Sequence, residues 1–141
     1  MTEQRKRSRE RGFSLIELIV VLVILGLLAT VVGPQVMRRL AQGKAEIAKL
    51  QVDQFEGAIG LFRFDVGRYP TTAEGLEALI RDAGIENWSG PYLEKSTVPK
   101  DPWGREYEYR SPGQHGDYDL WSHGADGTTG GEDDAADVTS W

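Results

Sequence analysis

The side chains best suited to chemistry crowd the C-terminal end. From Asp117 onward the chain has seven acidic residues and no Lys or Arg. Four of the acids, Asp126, Asp133, Asp134 and Asp137, lie in the Gly-, Asp-, Thr- and Ala-rich stretch from Gly124 to Asp137. Hard divalent cations such as calcium take about six to eight oxygen ligands from carboxylates, backbone carbonyls and water. A Gly-rich loop lets several carbonyls turn inward, so these four aspartates are candidate calcium ligands. The spacing is not that of an EF-hand. Counting from Asp126, Thr128 and Gly130 stand where Asp or Asn is expected, and Asp137 replaces the terminal Glu. The same composition also describes a solvated, disordered tail, against which Trp121 and Trp141 at its edges argue for order.

Enzymatic chemistries lack their usual parts. There are two histidines, His115 and His123, no cysteine, no Gly-x-Ser-x-Gly elbow and no Gly-x-x-x-x-Gly-Lys phosphate loop. Asp117 and Asp119, two apart on a strand, would point the same way with no evident cleft to hold a sugar. His123 beside the carboxylates reads as an exposed or plainly hydrogen-bonding residue. Clustered cations are missing from the acidic region, so nucleic acid is not an expected partner. The chain is therefore read as a non-enzyme.

A second candidate is Glu17, the only charge in the run from Phe13 to Gly33, where fifteen of the residues are Phe, Leu, Ile or Val. At ~1.5 Å rise per residue this run crosses a ~30 Å hydrocarbon core. A lone acid costs roughly 2.5 to 3.5 kcal/mol at the bilayer centre, whereas each large aliphatic contributes about -0.3 to -0.6 kcal/mol, so the span tolerates it. Arg5, Lys6, Arg7, Arg9 and Arg11 precede the run. The positive-inside rule then puts the N-terminus in the cytoplasm and everything after Gly33 outside, which in a bacterium is the periplasm. Residues 1–12 carry five basic and two acidic side chains while the whole chain has a net charge of -6, so the chain is electrically polarised.

These residues need elements to position them. Beyond Pro34, the apolar residues Met37, Leu40, Ile47, Leu50, Phe55, Ile59 and Phe62 fall mostly at helical spacing, which predicts an amphipathic helix continuing the anchor, with a kink or local melting at Gly33-Pro34. Gly67-Arg68-Tyr69-Pro70-Thr71-Thr72 breaks that pattern. Thr71 and Glu74 form a capping-box signature for a short second helix through about Asp82, ended by Gly84. Tyr107-Glu108-Tyr109 and Tyr118-Asp119-Leu120-Trp121 alternate like strands of a small antiparallel sheet, joined by a turn at Gly113 to Gly116. The aromatic set Trp103, Tyr107, Tyr109, Tyr118 and Trp121 is expected to pack against the long helix. The fold class is α+β. Without cysteine, a domain this small needs another staple, such as metal or oligomerisation.

The segment Arg11-Gly12-Phe13-Ser14-Leu15-Ile16-Glu17 resembles the type IV pilin and pseudopilin leader. Arg68-Tyr69-Pro70-Thr71-Thr72, Gly75-Leu76, Asp101-Pro102-Trp103-Gly104, Tyr118-Asp119-Leu120 and Gly124-Ala125-Asp126-Gly127 extend the resemblance to the major pseudopilins of type II secretion. It implies a pilin-like fold in four parts. Residues 1–12 are a cytoplasmic leader, 13–33 a transmembrane helix, 34–65 its periplasmic continuation, and 66–141 a head whose loop 117–141 binds one calcium. A prepilin peptidase would cut between Gly12 and Phe13, and the new Phe13 amine would be N-methylated. Glu17 would serve assembly as counter-charge to the Phe13 amine of a neighbouring subunit. Asp126 and Asp133 match the family's calcium ligands, with Asp134 and Asp137 as competing candidates.

By the same resemblance the chain forms a homopolymer, a periplasmic pseudopilus. Its partners are minor pseudopilins, the inner-membrane assembly platform with its cytoplasmic ATPase, and the outer-membrane secretin through which folded proteins leave. A type IV pilus major pilin shares the leader but typically closes its C-terminal region with a disulfide, for which this chain has no cysteine. A signal-anchored calcium- or glycan-binding protein would keep its N-terminus uncut.

Overall fold

The computed structural model describes residues 12–141; residues 1–11 of the expected leader 1–12 and the side chain of Asp134 lie outside the described residues. The chain divides into two compact units at Arg38–Arg39. One long helix, α1 (Leu15–Val66, 52 residues), contributes to both.

In the first unit, every large apolar side chain from Leu15 to Met37 is exposed. A window of this helix has a mean hydropathy of 3.0, so it is long and apolar enough to cross a membrane. Thr30 donates its hydroxyl to the Leu27 carbonyl at 2.7 Å, which satisfies that polar group inside the apolar stretch. Of the kink or local melting expected at Gly33-Pro34, melting does not occur, because both residues lie within the helix. Proline removes one backbone donor, and a helix this long, already nucleated on both sides, propagates through the defect.

In the second unit the helix buries Ala48, Val52, Phe55, Ala58, Ile59 and Phe62. These recur at intervals of three and four, one face of a helix. The expected stripe holds only in its C-terminal part, since Leu40, Ile47 and Leu50 are more than half exposed. The small residues Ala48 and Ala58 mark the buried face instead. Gly67, at φ +83°, ends the helix by donating its N–H to the Arg63 carbonyl at 2.8 Å.

The capping box forms as expected: Thr71 N–H donates to Glu74 Oε2 at 2.8 Å and Glu74 N–H donates to Thr71 Oγ1 at 3.2 Å. The element beyond it is not a helix through Asp82 but a single 3₁₀ turn, Leu76–Leu79. Gly75 at φ +59° interrupts the run, and Leu76, Ala78 and Leu79 are all drawn into the core, so tertiary burial decides the local geometry.

The sheet is antiparallel with strand order β1 (Glu108–Arg110), β2 (Asp119–Ser122), β3 (Val138–Thr139). Tyr109 pairs with Leu120, and Trp121 with Thr139. The first two strands lie one residue beyond the segments that alternation marked, Tyr107–Tyr109 and Tyr118–Trp121; β3, only two residues long, falls within the stretch expected to be loop. Leu120, wholly buried, joins Phe55, Ile59, Phe62 and Tyr107 in the core. Tyr107 meets Phe55 edge-on at 5.1 Å and hydrogen-bonds Gln51 at 2.6 Å, so it does pack on the helix. Trp121 does not share that core; it contacts Trp141, His123 and Arg110. On β2, Leu120 and Trp121 are neighbours and take opposite faces.

Candidate functional site

At the N-terminal end of α1, Ser14 accepts the Glu17 N–H on Oγ at 3.2 Å, and Ser14 N–H reaches back to Glu17 Oε2 at 3.5 Å. This is a Ser-x-x-Glu capping box, so Glu17 is a helix cap as well as the one charge of the apolar run. Glu17 therefore satisfies a backbone donor of its own helix, which lowers the cost of placing a carboxylate in an apolar segment. Phe13 beside it is 88 % exposed, and Gly12 has open space where a side chain would sit. The predicted cleavage bond is thus sterically free on its described side.

The C-terminal loop leaves β2 at Ser122 and returns at β3. Gly124, Gly127, Gly130, Gly131 and Asp133 all have positive φ, the left-handed conformations that let successive carbonyls change direction. At Gly124 a Cβ would lie 2.6 Å from the Ala136 carbonyl, so glycine is required where the two arms of the loop meet. Asp126 is exposed and accepts two bonds from Thr128, N–H to Oδ1 at 3.0 Å and Oγ1 to Oδ2 at 2.9 Å. The Thr128 N–H and hydroxyl hold its carboxyl below the usual range; burial opposes them weakly and the Arg105 charge assists. Asp137 accepts the Gly130 N–H on Oδ2 at 2.9 Å, tying the middle of the loop to its C-terminal end. Its Oδ1 is buried without a hydrogen-bond partner, 3.6 Å from His123 Nδ1, which is likewise unpartnered. Asp133 is exposed and opens the 3₁₀ turn Asp133–Ala135.

The donor chemistry, carboxylates and carbonyls with one orphaned buried carboxylate oxygen, suits a hard cation such as calcium. Among the described residues no group of three or more His, Cys, Asp or Glu is gathered closely enough to hold a metal. Asp126 is thus held by Thr128 and Asp137 by Gly130, in separate turns of the same loop, and Asp133 is exposed.

Three residues outside the predicted set organise this end of the domain. Asp101, buried, accepts from Arg105 N–H at 2.8 Å and Trp103 N–H at 3.1 Å, and takes the Ser122 hydroxyl at 2.6 Å. Arg105 donates to the carbonyls of Gly124 and Ala125. Asp119, fully buried, accepts from Gln114 N–H at 2.7 Å, His115 N–H at 3.0 Å and Arg110 Nη2 at 2.6 Å. Burial alone raises a carboxyl pKa, but the Gln114 N–H, the Arg110 guanidinium and His115 together hold Asp119 well below the usual range. Asp119 is the latch of the turn from Ser111 to Tyr118, not half of a catalytic pair. Asp101 and Asp119 lie in segments that carry the family resemblance, Asp101-Pro102-Trp103-Gly104 and Tyr118-Asp119-Leu120; Arg105 has no such signal, because its partners lie nineteen and twenty residues away.

Comparison with known proteins matches residues 7–33 to the prokaryotic N-terminal methylation motif and residues 35–141 to type II secretion system (T2SS), protein G. The type II secretion system core protein G of Pseudomonas aeruginosa is 44% identical, covering 96% of this chain and 98% of that protein. That of Vibrio cholerae is 38% identical over 97% of this chain and 95% of its own. In three dimensions the chain resembles the crystal structure of the major pseudopilin from the type 2 secretion system of enterohaemorrhagic Escherichia coli. That match has a TM-score of 0.63 and 31% identity, covering 74% of this chain and 88% of the other. A pilin-type leader motif, an exposed apolar helix and a cysteine-free α+β head closed by an acidic loop meet in one chain, and that chain belongs to the type II secretion system protein G family.

Proposed function

We propose that the chain is the major pseudopilin of a type II secretion system: a structural subunit, anchored in the inner membrane, that polymerises into a periplasmic pseudopilus. One observation carries this reading. The large apolar side chains of α1 from Leu15 to Met37 are exposed, in a chain whose relatives are secretion-system subunits along their whole length. Such a surface is soluble only in lipid or against other copies of itself. A stripe that packs head-to-tail on a different stripe of the next copy grows without closing, which yields a helical filament. The protein G match over residues 35–141 favours this over a type IV pilus pilin.

In this reading a prepilin peptidase cuts between Gly12 and Phe13, and the methylated Phe13 amine of one subunit pairs with Glu17 of another. The partners are minor pseudopilins, the assembly platform and the secretin. The N-terminus faces the cytoplasm and the head the periplasm. Calcium, when bound, supplies positive charge to a loop whose carboxylates otherwise repel one another, with Asp126 as principal ligand and Asp133, Asp134 or Asp137 completing the carboxylate set. The orphaned Oδ1 of Asp137 and the run of positive-φ residues support this.

Intact mass measurement of the chain from actively secreting cells tests the reading. The expected mass begins at Phe13 and carries one added methyl group. A chain that keeps Met1 through Gly12 in such cells overturns it.

A further inference from the structure

We infer that Arg105 is a positioning residue for the C-terminal loop: its guanidinium is a built-in cation that holds the turn from Gly124 to Gly127, and with it Asp126, in shape without metal. Arg105 is itself anchored. Its N–H donates to Asp101 Oδ1 at 2.8 Å and its carbonyl accepts from Asp101 N–H at 2.8 Å. Gly104 at φ +89° makes that tight return possible. Asp101 is also tied to β2, because Ser122 donates its hydroxyl to Asp101 Oδ2 and accepts the Gly124 N–H at 3.3 Å. The base of the arginine and the start of the loop are thus clamped to one buried carboxylate.

From that base the guanidinium reaches the loop with both terminal nitrogens. Nη1 donates to the Gly124 carbonyl and Nη2 to the Ala125 carbonyl at 3.0 Å. A planar fork of fixed donors fits two successive carbonyls in a way that an ammonium does not. The fit is close on a third side as well. A Cβ on Gly127 would lie 2.7 Å from both Cζ and Nε of Arg105, so the glycine is what lets the guanidinium lie flush against the turn. Since the chain from Asp117 onward has no Lys or Arg, positive charge reaches its acids from another segment: Arg110 pairs with Asp119, and Arg105 lies on the turn that carries Asp126.

The arginine constrains the calcium site in two ways, and to that extent the inference rests on the calcium reading above. The guanidinium takes one lone pair of each of the Gly124 and Ala125 carbonyls and sets a positive charge beside them, which disfavours these two as ligands of a cation. And Asp126 is already held in its turn before an ion arrives, which raises affinity by reducing the ordering that binding requires.

Limited proteolysis of the full chain in detergent, with an endoprotease that cuts after Glu, tests this at Glu132; trypsin has no site in the loop. With EDTA, Arg105→Ala should be cut at Glu132 at least about tenfold faster than wild type, as expected where cleavage tracks the population of the opened loop. Gly127→Ala should be cut faster too, but its φ of +70° strains any side chain independently of the arginine, so Arg105→Ala decides the test. Arg105→Lys, which keeps the charge without the fork, should recover only part of the protection. Cleavage at Glu56 in the helix should not change, which separates loop positioning from general destabilisation. Added calcium should slow the Glu132 cut in wild type and variants, with half-protection in Arg105→Ala at about tenfold more calcium. Equal Glu132 rates in EDTA for wild type and Arg105→Ala overturn the inference. Faster cutting in the variants with no calcium effect on any chain upholds Arg105 and removes the calcium reading instead.

Discussion

At the scale of single residues, Glu17 combines two roles that a substitution can separate. Its carboxylate caps its own helix through Ser14, and in the proposed filament it neutralises a neighbour's Phe13 amine. Glutamine fits the capping box equally well but carries no charge. Glu17→Gln should therefore insert into the membrane and be processed normally yet form no filaments, as seen by chemical cross-linking of membranes. Wild-type filament yield from this variant would sink the charge-pair role. Glu74 has only a structural role, and a pH titration reads it. The Arg68 guanidinium, with both nitrogens 2.7 Å from the carboxylate, and the Thr71 N–H bring the Glu74 pKa down to about 2, against burial, from an ordinary 4.5. A lowered folded-state pKa adds stability above the unfolded value, and that stability is lost as pH falls from about 4.5 through about 2. Arg68 is nearly half exposed, so the contribution is about 1 kcal/mol. The pH dependence of Tm between neutral and acid should be shallower in Glu74→Gln than in wild type.

At the scale of elements, α1 behaves as two helices in one. Its first half is apolar all round and its second half has one buried face. Proline at position 34 lies inside it without ending it. The buried face is crossed by aromatic contacts: Phe55 with Tyr107, and Phe62 with Tyr92 at 5.7 Å. Removing a fully buried ring leaves a cavity as well as lost transfer energy, so Phe62→Ala should destabilise the head by about 3 to 5 kcal/mol. Chemical denaturation of the full chain in detergent, followed by Trp fluorescence, would reveal it. Phe64, two residues on and 86 % exposed, should cost less than about 0.5 kcal/mol when changed to alanine. Similar losses at both positions would mean that the register of the helix on the sheet is wrong. The short 3₁₀ turn at Leu76–Leu79 makes a related point: its capping box is written locally, but its length is set by which side chains the core can take.

At the scale of the whole molecule, the second unit has no disulfide and a three-stranded sheet whose last strand is two residues long. A ligand bound only by the folded form stabilises by mass action, about 2.7 kcal/mol at a hundredfold excess over its Kd. EDTA should accordingly lower the Tm of the full chain in detergent, and Asp126→Ala should abolish the difference between EDTA and calcium. A melting curve indifferent to EDTA would leave the protein pair network around Asp101, Arg105 and Asp137 as the loop's sole fastening. Much of this is legible in the residues alone. The run from Phe13 to Gly33 shows in its composition that it is long and apolar enough to cross a membrane, and the alternation at Tyr107-Glu108-Tyr109 and Tyr118-Asp119-Leu120-Trp121 is a local property of strands. Hydrophobic period, charge asymmetry and capping signatures are written in neighbouring residues, so membrane span, long helix, sheet and family resemblance came from the sequence by itself. What the tertiary structure alone decided is what joins residues far apart: Arg105 on the carbonyls of Gly124 and Ala125, Ser122 on Asp101, and the burial of Ala48 in place of Ile47 and Leu50. Such pairings depend on how the chain closes in space, and no short window of sequence encodes the distance between them.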